Sequence, residues 1–70
     1  MPVEINYYIL VQDESGGYRD HNGVLYGFID SAKQAYNYYV ENFPDKKFKL
    51  MEKVTTTFVE YQTLLSNDSN

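Results

Sequence analysis

The sequence predicts a single α+β domain in which one helix packs on one face of an antiparallel sheet of three to four strands. Three stretches support this: an alternating apolar stretch near the N-terminus, one stretch with helical spacing, and a long stretch rich in β-branched and aromatic residues. With 70 residues, the chain is long enough for one hydrophobic core only. We expect one domain over residues 1–64 and a disordered polar tail over residues 65–70.

The first predicted strand covers residues 3–12, where apolar side chains alternate with other residues. The odd-numbered apolar residues share one face: Val3, Ile5, Tyr7, Ile9 and Val11. Tyr8 and Leu10 give the opposite face apolar character as well. An apolar character on both faces is typical of a central strand, and we assign this position to it.

A hairpin is predicted to follow this strand. Residues 13–17 contain turn-forming side chains and two glycines, which adopt a positive φ without strain. The return limb is less regular: residues 18–19 continue the hairpin, residues 20–23 have the composition of a second turn or bulge, and residues 24–28 are expected to form a strand.

The helix is predicted between Phe28 and Pro44. Ser31 and Gln34 have the spacing of a capping box, and Asp30 is an alternative cap. Proline cannot continue a helix, so Pro44 is expected to end it. Apolar residues recur at three- and four-residue steps, as one buried face requires: Ala32, Ala35, Tyr36, Tyr39, Val40 and Phe43.

Residues 48–61 are strand-like throughout, which is long for one strand, so this stretch either bends near residues 52–55 or splits there into two strands. A helix that follows a hairpin returns the third strand beside the first. The predicted topology is therefore ββαβ, with sheet order 2-1-3. The predicted core consists of Val3, Ile5, Tyr7, Ile9, Val11, Phe28, Ala35, Tyr39, Phe43, Phe48 and Leu50.

Composition excludes several classes of function. Ten acidic and six basic residues give a net charge of -4, which argues against a nucleic-acid partner, because such binding needs a basic face. The chain has no cysteine, which excludes disulfides and thiolate zinc sites. The N-terminal residues lack a signal or membrane segment. We expect a cytosolic protein with no membrane partner.

No catalytic, metal or phosphate-binding motif is recognised, so we expect neither an enzyme nor a cofactor. His21, the single histidine, is interpreted as an exposed loop residue beside Asp20. The acidic residues near the predicted turn lack the spacing of a calcium loop. The tyrosines are expected to have acidic or neutral neighbours, unlike those of sheets on which nucleotide bases stack.

One helix covers one side of a sheet, so the other side is expected to form an interface with a partner protein or, as a homodimer, with a second copy. A sheet closed by its own C-terminal segment is the alternative. Acidic residues of the turn would steer a basic partner, and aromatic residues would anchor it. The predicted partner-binding residues are Tyr8, Leu10, Asp13, Glu14, Asp20, Leu25, Tyr38, Met51, Val59 and Tyr61.

The segments Leu25–Tyr36, Phe43–Pro44 and Phe48–Val54 combine an aromatic residue, a serine cap, an alanine four residues later, an aromatic stripe, a turn and a closing strand. This layout resembles that of small phage-encoded host-takeover proteins, and it is similar to the RNA polymerase inhibitors of T7-like phages. The resemblance covers about half of the chain. It implies one helix against a three-stranded sheet and an inhibitor that occupies a host protein's surface without chemistry of its own.

The expected function is therefore that of a small acidic protein-binding module, a phage-type inhibitor of a host or defence protein that acts by surface occlusion in the host cytoplasm. The alternative is a small-molecule-binding protein whose tyrosine-lined dimer cleft holds a planar, nucleotide-like ligand.

Overall fold

A computed structural model describes residues 2–68 and contains four strands and one helix within that range. Their order along the chain is β1 (Glu4–Gln12), β2 (Tyr18–Asp20), α1 (Ile29–Asn42), β3 (Phe48–Thr55) and β4 (Val59–Ser66). The strands form one antiparallel sheet in the order β2-β1-β3-β4. The predicted α+β class and the order 2-1-3 are confirmed, and β4 is added beyond β3.

The buried core lies between α1 and one face of the central strands. Ile9 pairs with Leu50 across β1 and β3, and Val11 pairs with Phe48, so these four side chains share a face. Helix residues Ala32 and Tyr36 cover them, and the set of buried residues is Ile9, Val11, Ala32, Tyr36, Phe48 and Leu50. Tyr7, Ala35 and Tyr39 pack against this core while half-buried.

Four residues predicted for the core are exposed instead: Val3, Ile5, Phe28 and Phe43. Phe28 and Phe43 are the cap residues at the two ends of α1. Val3 and Ile5, at the start of β1, are exposed because the helix is shorter than the sheet. A helix of 14 residues spans about 21 Å, whereas the molecule is 42 Å long. The outer half of the sheet, where β1 begins and β3 turns into β4, therefore extends beyond α1.

The predicted capping box is wrong, because the helix begins earlier than Ser31. Phe28 is the N-cap residue, with an extended backbone (φ -124°, ψ 134°) and no side-chain cap hydrogen bond. Ser31 consequently lies inside the first turn, where Asp30 interacts favourably with the positive end of the helix dipole. The C-terminal prediction is confirmed: the helix ends at Asn42, Phe43 is the C-cap, and Pro44 follows.

The expected strand over residues 24–28 does not form. The return limb pairs with β1 only through β2, and residues 24–28 contribute a single bridge between Tyr26 and Tyr7. Both backbone hydrogen bonds of that bridge are short, at 2.9 Å from Tyr7 N to Tyr26 O and 2.8 Å from Tyr26 N to Tyr7 O. Residues 21–28 therefore form a loop whose backbone is attached to β1 at two points, through the hydrogen bond from His21 N to Ile9 O at 2.9 Å and through the Tyr7–Tyr26 bridge.

The long C-terminal stretch splits into two strands, as one of the two alternatives predicted, but the turn lies at residues 56–58, and residues 52–55, where the split was expected, belong to β3. The prediction of a disordered tail over residues 65–70 is wrong for residues 65–68, which the structure describes. Leu65 and Ser66 belong to β4, because their pairing with β3 satisfies their backbone groups. The Asn67 side chain accepts from Phe48 N at 2.6 Å and donates to Lys46 O at 2.9 Å. Residues 69 and 70 lie outside the described residues.

Candidate functional site

We call the sheet surface opposite α1 the uncovered face. Because Ile9 and Leu50 point toward the helix, their neighbours along each strand point away from it. The strand registers assign these residues to the uncovered face: Glu4, Asn6, Tyr8, Leu10, Gln12, Tyr18, Asp20, Lys49, Met51, Lys53, Thr55, Val59, Tyr61, Thr63 and Ser66. β4 extends the sheet sideways and does not fold over this face, so the predicted alternative of closure by the C-terminal segment does not occur within residues 2–68.

A groove of about 280 Å³ crosses the uncovered face between Tyr8, Asp20, Leu25, Lys53 and Tyr61. The rings of Tyr8 and Tyr61 meet edge to face, with centroids 6.3 Å apart and an interplanar angle of 87°. Leu25 comes from the loop attached at Tyr26 and is 60 % exposed. The structure thus brings together a subset of the predicted partner-binding residues.

Burial raises the pKa of the Tyr8 hydroxyl above its usual value of 10.0, and the nearby Tyr61 and Asp20 side chains add to this. The hydroxyl therefore remains protonated at neutral pH and is available as a hydrogen-bond donor.

The remainder of the uncovered face is mixed in character. Thr63 Oγ1 donates to Met51 Sδ at 3.3 Å, and Val59 is exposed beside the β3–β4 turn. At the opposite end, Lys49 Nζ lies 4.2 Å from the centroid of the Tyr18 ring, a cation–π contact. Tyr18 donates to Asp68 Oδ2 at 3.2 Å. The part of the face around the groove combines the exposed apolar side chains of Leu25 and Tyr61 with the charged side chains of Asp20 and Lys53.

Two lysines on this face were missed by sequence reasoning. Lys49 and Lys53 lie among the tyrosines, so the expectation that these tyrosines have only acidic or neutral neighbours is wrong. The lysines lie four residues apart on β3, an even spacing that places both on one face. The sequence spacing shows that the two lysines share a face of the strand. Which face of the sheet that is becomes known only from the strand pairing.

The predicted acidic group is divided by the structure. Asp13 organises the β1–β2 turn, where its Oδ1 accepts from Ser15 N at 2.9 Å, Ser15 Oγ at 2.6 Å and Gly17 N at 3.1 Å. These hydrogen bonds, led by that of the Ser15 hydroxyl, lower the pKa of the Asp13 carboxyl group. Gly16 has φ 91° in this turn, a conformation that favours glycine.

A second, polar cleft of about 550 Å³ lies beside this turn. Asp13 and Glu14 line it together with Arg19 and Lys46, so side chains of both charges surround the opening. Asp20 lies elsewhere: it lines the groove, and its Oδ1 accepts from Gly23 N at 3.1 Å. The three acidic residues therefore do not form one continuous negative patch.

Tyr38 is separated from the other predicted contact residues. It lies on α1, in the layer on the far side of the sheet from the uncovered face, and is 58 % exposed. Its ring meets the Tyr39 ring edge to face at 5.5 Å. A partner that binds the groove does not reach Tyr38 on the same surface.

His21 is not the exposed loop residue that the sequence predicted. Its ring packs edge to face on Tyr39 at 4.3 Å and on Phe48 at 5.2 Å, so it closes one end of the core. Burial lowers the pKa of His21 below 6.5, Lys46 and Arg19 lower it further, and Asp20 opposes them. Its role is therefore in packing, with the neutral imidazole favoured.

His21 predicts a specific pH dependence of stability. Because its folded-state pKa is below the unfolded value, the unfolded chain binds the proton first as pH falls. Stability is complete above about pH 6.5, decreases below that value, and stops decreasing once pH passes the folded pKa. We expect the midpoint temperature of thermal unfolding to decrease as the pH is lowered from about 7 to about 5. His21→Phe keeps the aromatic packing and is expected to make this temperature depend less on pH over the same range. Equal slopes for both proteins would contradict this assignment.

Comparison with protein-family models, curated proteins and solved structures found no match to this chain. Within residues 2–68, no group of three or more histidine, aspartate or glutamate side chains is placed to hold a metal ion. The single helix of the described range is too short and too polar to cross a bilayer.

Proposed function

We propose that this protein is a small protein-binding module that acts without chemistry of its own, by covering a surface of its partner. The finer form of the proposal, from the resemblance to phage-encoded inhibitors, is that the partner is a host or defence protein. The observation that supports the proposal is the groove on the uncovered face, where the exposed side chains of Leu25 and Tyr61 lie beside the charged side chains of Asp20 and Lys53.

The composition around this groove is typical of a binding site for protein. Tyrosine and methionine are enriched in protein interfaces, and here Tyr8, Tyr61 and Met51 share one face. Asp20 and Lys53 border the aromatic pair and provide a polar rim of both charges. A partner that inserts an apolar side chain between Tyr61 and Leu25 would bury both residues and keep these charges in water.

The groove is open and has a volume of about 280 Å³ in one copy, which a single inserted side chain of a protein partner fits. The tyrosine-lined cleft of the alternative would be formed by two copies of the chain.

Two tyrosines of almost equal exposure allow a controlled test. Tyr61 is 60 % exposed at the groove and Tyr38 is 58 % exposed on the helix layer, so Tyr61→Lys and Tyr38→Lys change charge and apolar surface alike. We expect capture of a partner from bacterial lysate by the immobilised protein to fall about 30-fold for Tyr61→Lys, as the loss of a binding hot spot of about 2 kcal/mol predicts. Tyr38→Lys is expected to retain capture.

Quantitative mass spectrometry of the captured proteins provides the measurement, and circular dichroism verifies that both variants fold. Retained capture by Tyr61→Lys, or a loss confined to Tyr38→Lys, would show that the groove is not the contact surface.

A further inference from the structure

We propose that two copies of this chain associate through the outer edges of their β4 strands, antiparallel to each other, about a twofold axis at Tyr61. This interface uses backbone groups of an edge strand in place of the side chains that form the groove, although Tyr61 belongs to both surfaces. The product is one continuous antiparallel sheet formed by the four strands of each copy.

The two edges of the sheet differ in how they are protected. At one edge, β2 has only three residues, and the loop bridge at Tyr26 occupies the β1 backbone beyond it. At the other edge, β4 has eight residues, and within residues 2–68 no strand pairs with its outer side. β4 also contains no lysine, arginine or proline, the residues that commonly block edge pairing. Its outward N–H and C=O groups are therefore open to a further strand.

The side chains of β4 select a second copy and a register. In a twofold antiparallel pair, opposing residues point to the same face of the sheet. The axis must therefore pass beside a residue, which then opposes its own copy, and not between two residues. An axis at Tyr61 places Glu60 of each copy opposite Gln62 of the other, where the amide N–H group donates to the carboxylate. It also places Val59 opposite Thr63, a β-branched pair.

Neighbouring registers are chemically worse. An axis at Glu60 would oppose two carboxylates, and an axis at Gln62 would oppose Glu60 with Leu64, which packs against the core. The register shift between Leu50 and Met51 also breaks the regular spacing of β4 after Thr63. Residues 59–63 are thus the regular part of the edge, and they are self-complementary about Tyr61.

This association would extend the uncovered face. A twofold axis perpendicular to the sheet keeps both helices on one side and joins the Tyr8–Tyr61 pair of one copy to the same pair of the other. The paired segment is about 16 Å long, which is short for a permanent interface. We therefore expect a reversible dimer that depends on protein concentration.

The absence of native cysteine allows the register to be measured directly. Opposing Cα atoms in an antiparallel pair are about 4.5–5.5 Å apart, within the range that a disulfide spans. Tyr61→Cys is expected to form a disulfide-linked dimer under mild oxidation. Gln62→Cys is the matched control, because its two copies would lie about 8 Å apart in this register, and we expect little cross-linking.

Charge substitutions at Gln62 test the same register in the cysteine-free protein. Gln62→Glu places a second carboxylate opposite Glu60 at both symmetry-related positions of the dimer, and it is expected to weaken association at least about fivefold. Gln62→Lys opposes the Glu60 carboxylate with a cation and is expected to strengthen association. Leu10→Glu, on the uncovered face away from β4, is the control that leaves the dimer intact. Sedimentation velocity over a concentration series measures the dissociation constant of the dimer for each variant. Thermal unfolding verifies that each variant folds, because Gln62 also lies opposite Glu52 on β3.

A monomer at all concentrations up to about 1 mM would overturn the proposal. So would a dimer that is lost in Leu10→Glu and unaffected at Gln62, or cross-linking at Gln62→Cys in preference to Tyr61→Cys. A monomer that still captured a lysate partner would overturn this proposal alone, whereas a dimer that captured none would contradict only the proposed function.

Discussion

Phe48→Ala is expected to destabilise the domain by about 3–5 kcal/mol, the largest effect of any single substitution considered. Phe48 is fully buried, and its ring stacks on Tyr39 at 5.9 Å and meets His21 at 5.2 Å. Truncation removes these contacts and leaves a cavity at the meeting point of β1, β3 and α1. Domains of this size are stable by about 5–10 kcal/mol, so a substantial part of that free energy would be lost.

Urea unfolding followed by circular dichroism measures this change in free energy. Phe58→Ala is the matched control, because Phe58 is 73 % exposed in the β3–β4 turn. We expect the control to change stability by no more than about 0.5 kcal/mol. Similar losses in the two variants would show that Phe48 is not the centre of the core.

Asn67→Ala is expected to destabilise the domain by about 1–3 kcal/mol, because a half-buried backbone N–H loses its acceptor. The Asn67 side chain accepts from Phe48 N at 2.6 Å and donates to Lys46 O at 2.9 Å. Its amide thus joins the chain just after β4 to the first residue of β3. Loss of this connection would also release the end of β4 that lies beside the core.

Asn42→Ala is the control for this prediction. The Asn42 side chain also bonds a backbone carbonyl, that of Tyr38 at 2.7 Å, but it is exposed on the helix, and alanine favours helix. We expect little change for the control, and faster hydrogen exchange at the Phe48 amide for Asn67→Ala alone. Unchanged exchange at Phe48 would contradict the assigned role.

The difference between predicted and observed cores shows where sequence periodicity is informative. Ile9, Val11, Phe48 and Leu50 were predicted correctly, because alternation identifies one face of a strand and the helix covers the sheet where β1 ends and β3 begins. Val3 and Phe28 follow the same apolar pattern and are exposed. Periodicity shows which residues lie on the same face of a strand. Which of these residues are buried depends on the part of the sheet that the helix crosses.

The candidate site shows a similar division. Tyr8, Leu25 and Tyr61 were predicted as surface contacts, and the structure places them around one groove. Tyr38 was predicted with them and lies in the helix layer. Lys53 was missed, because an isolated lysine in a strand has no distinguishing local signal before its cross-strand neighbours are known.

By itself, the sequence determined the α+β class, the central position of β1, the existence of one helix ending before Pro44, and the face that the helix covers. These features depend on local spacing and composition, which need no knowledge of distant contacts. Only the tertiary structure decided that β4 continues to Ser66, that His21 packs on Phe48, and which tyrosines share a groove. Those features depend on strand register and on the position at which distant segments meet, and neither is encoded within a short window of residues.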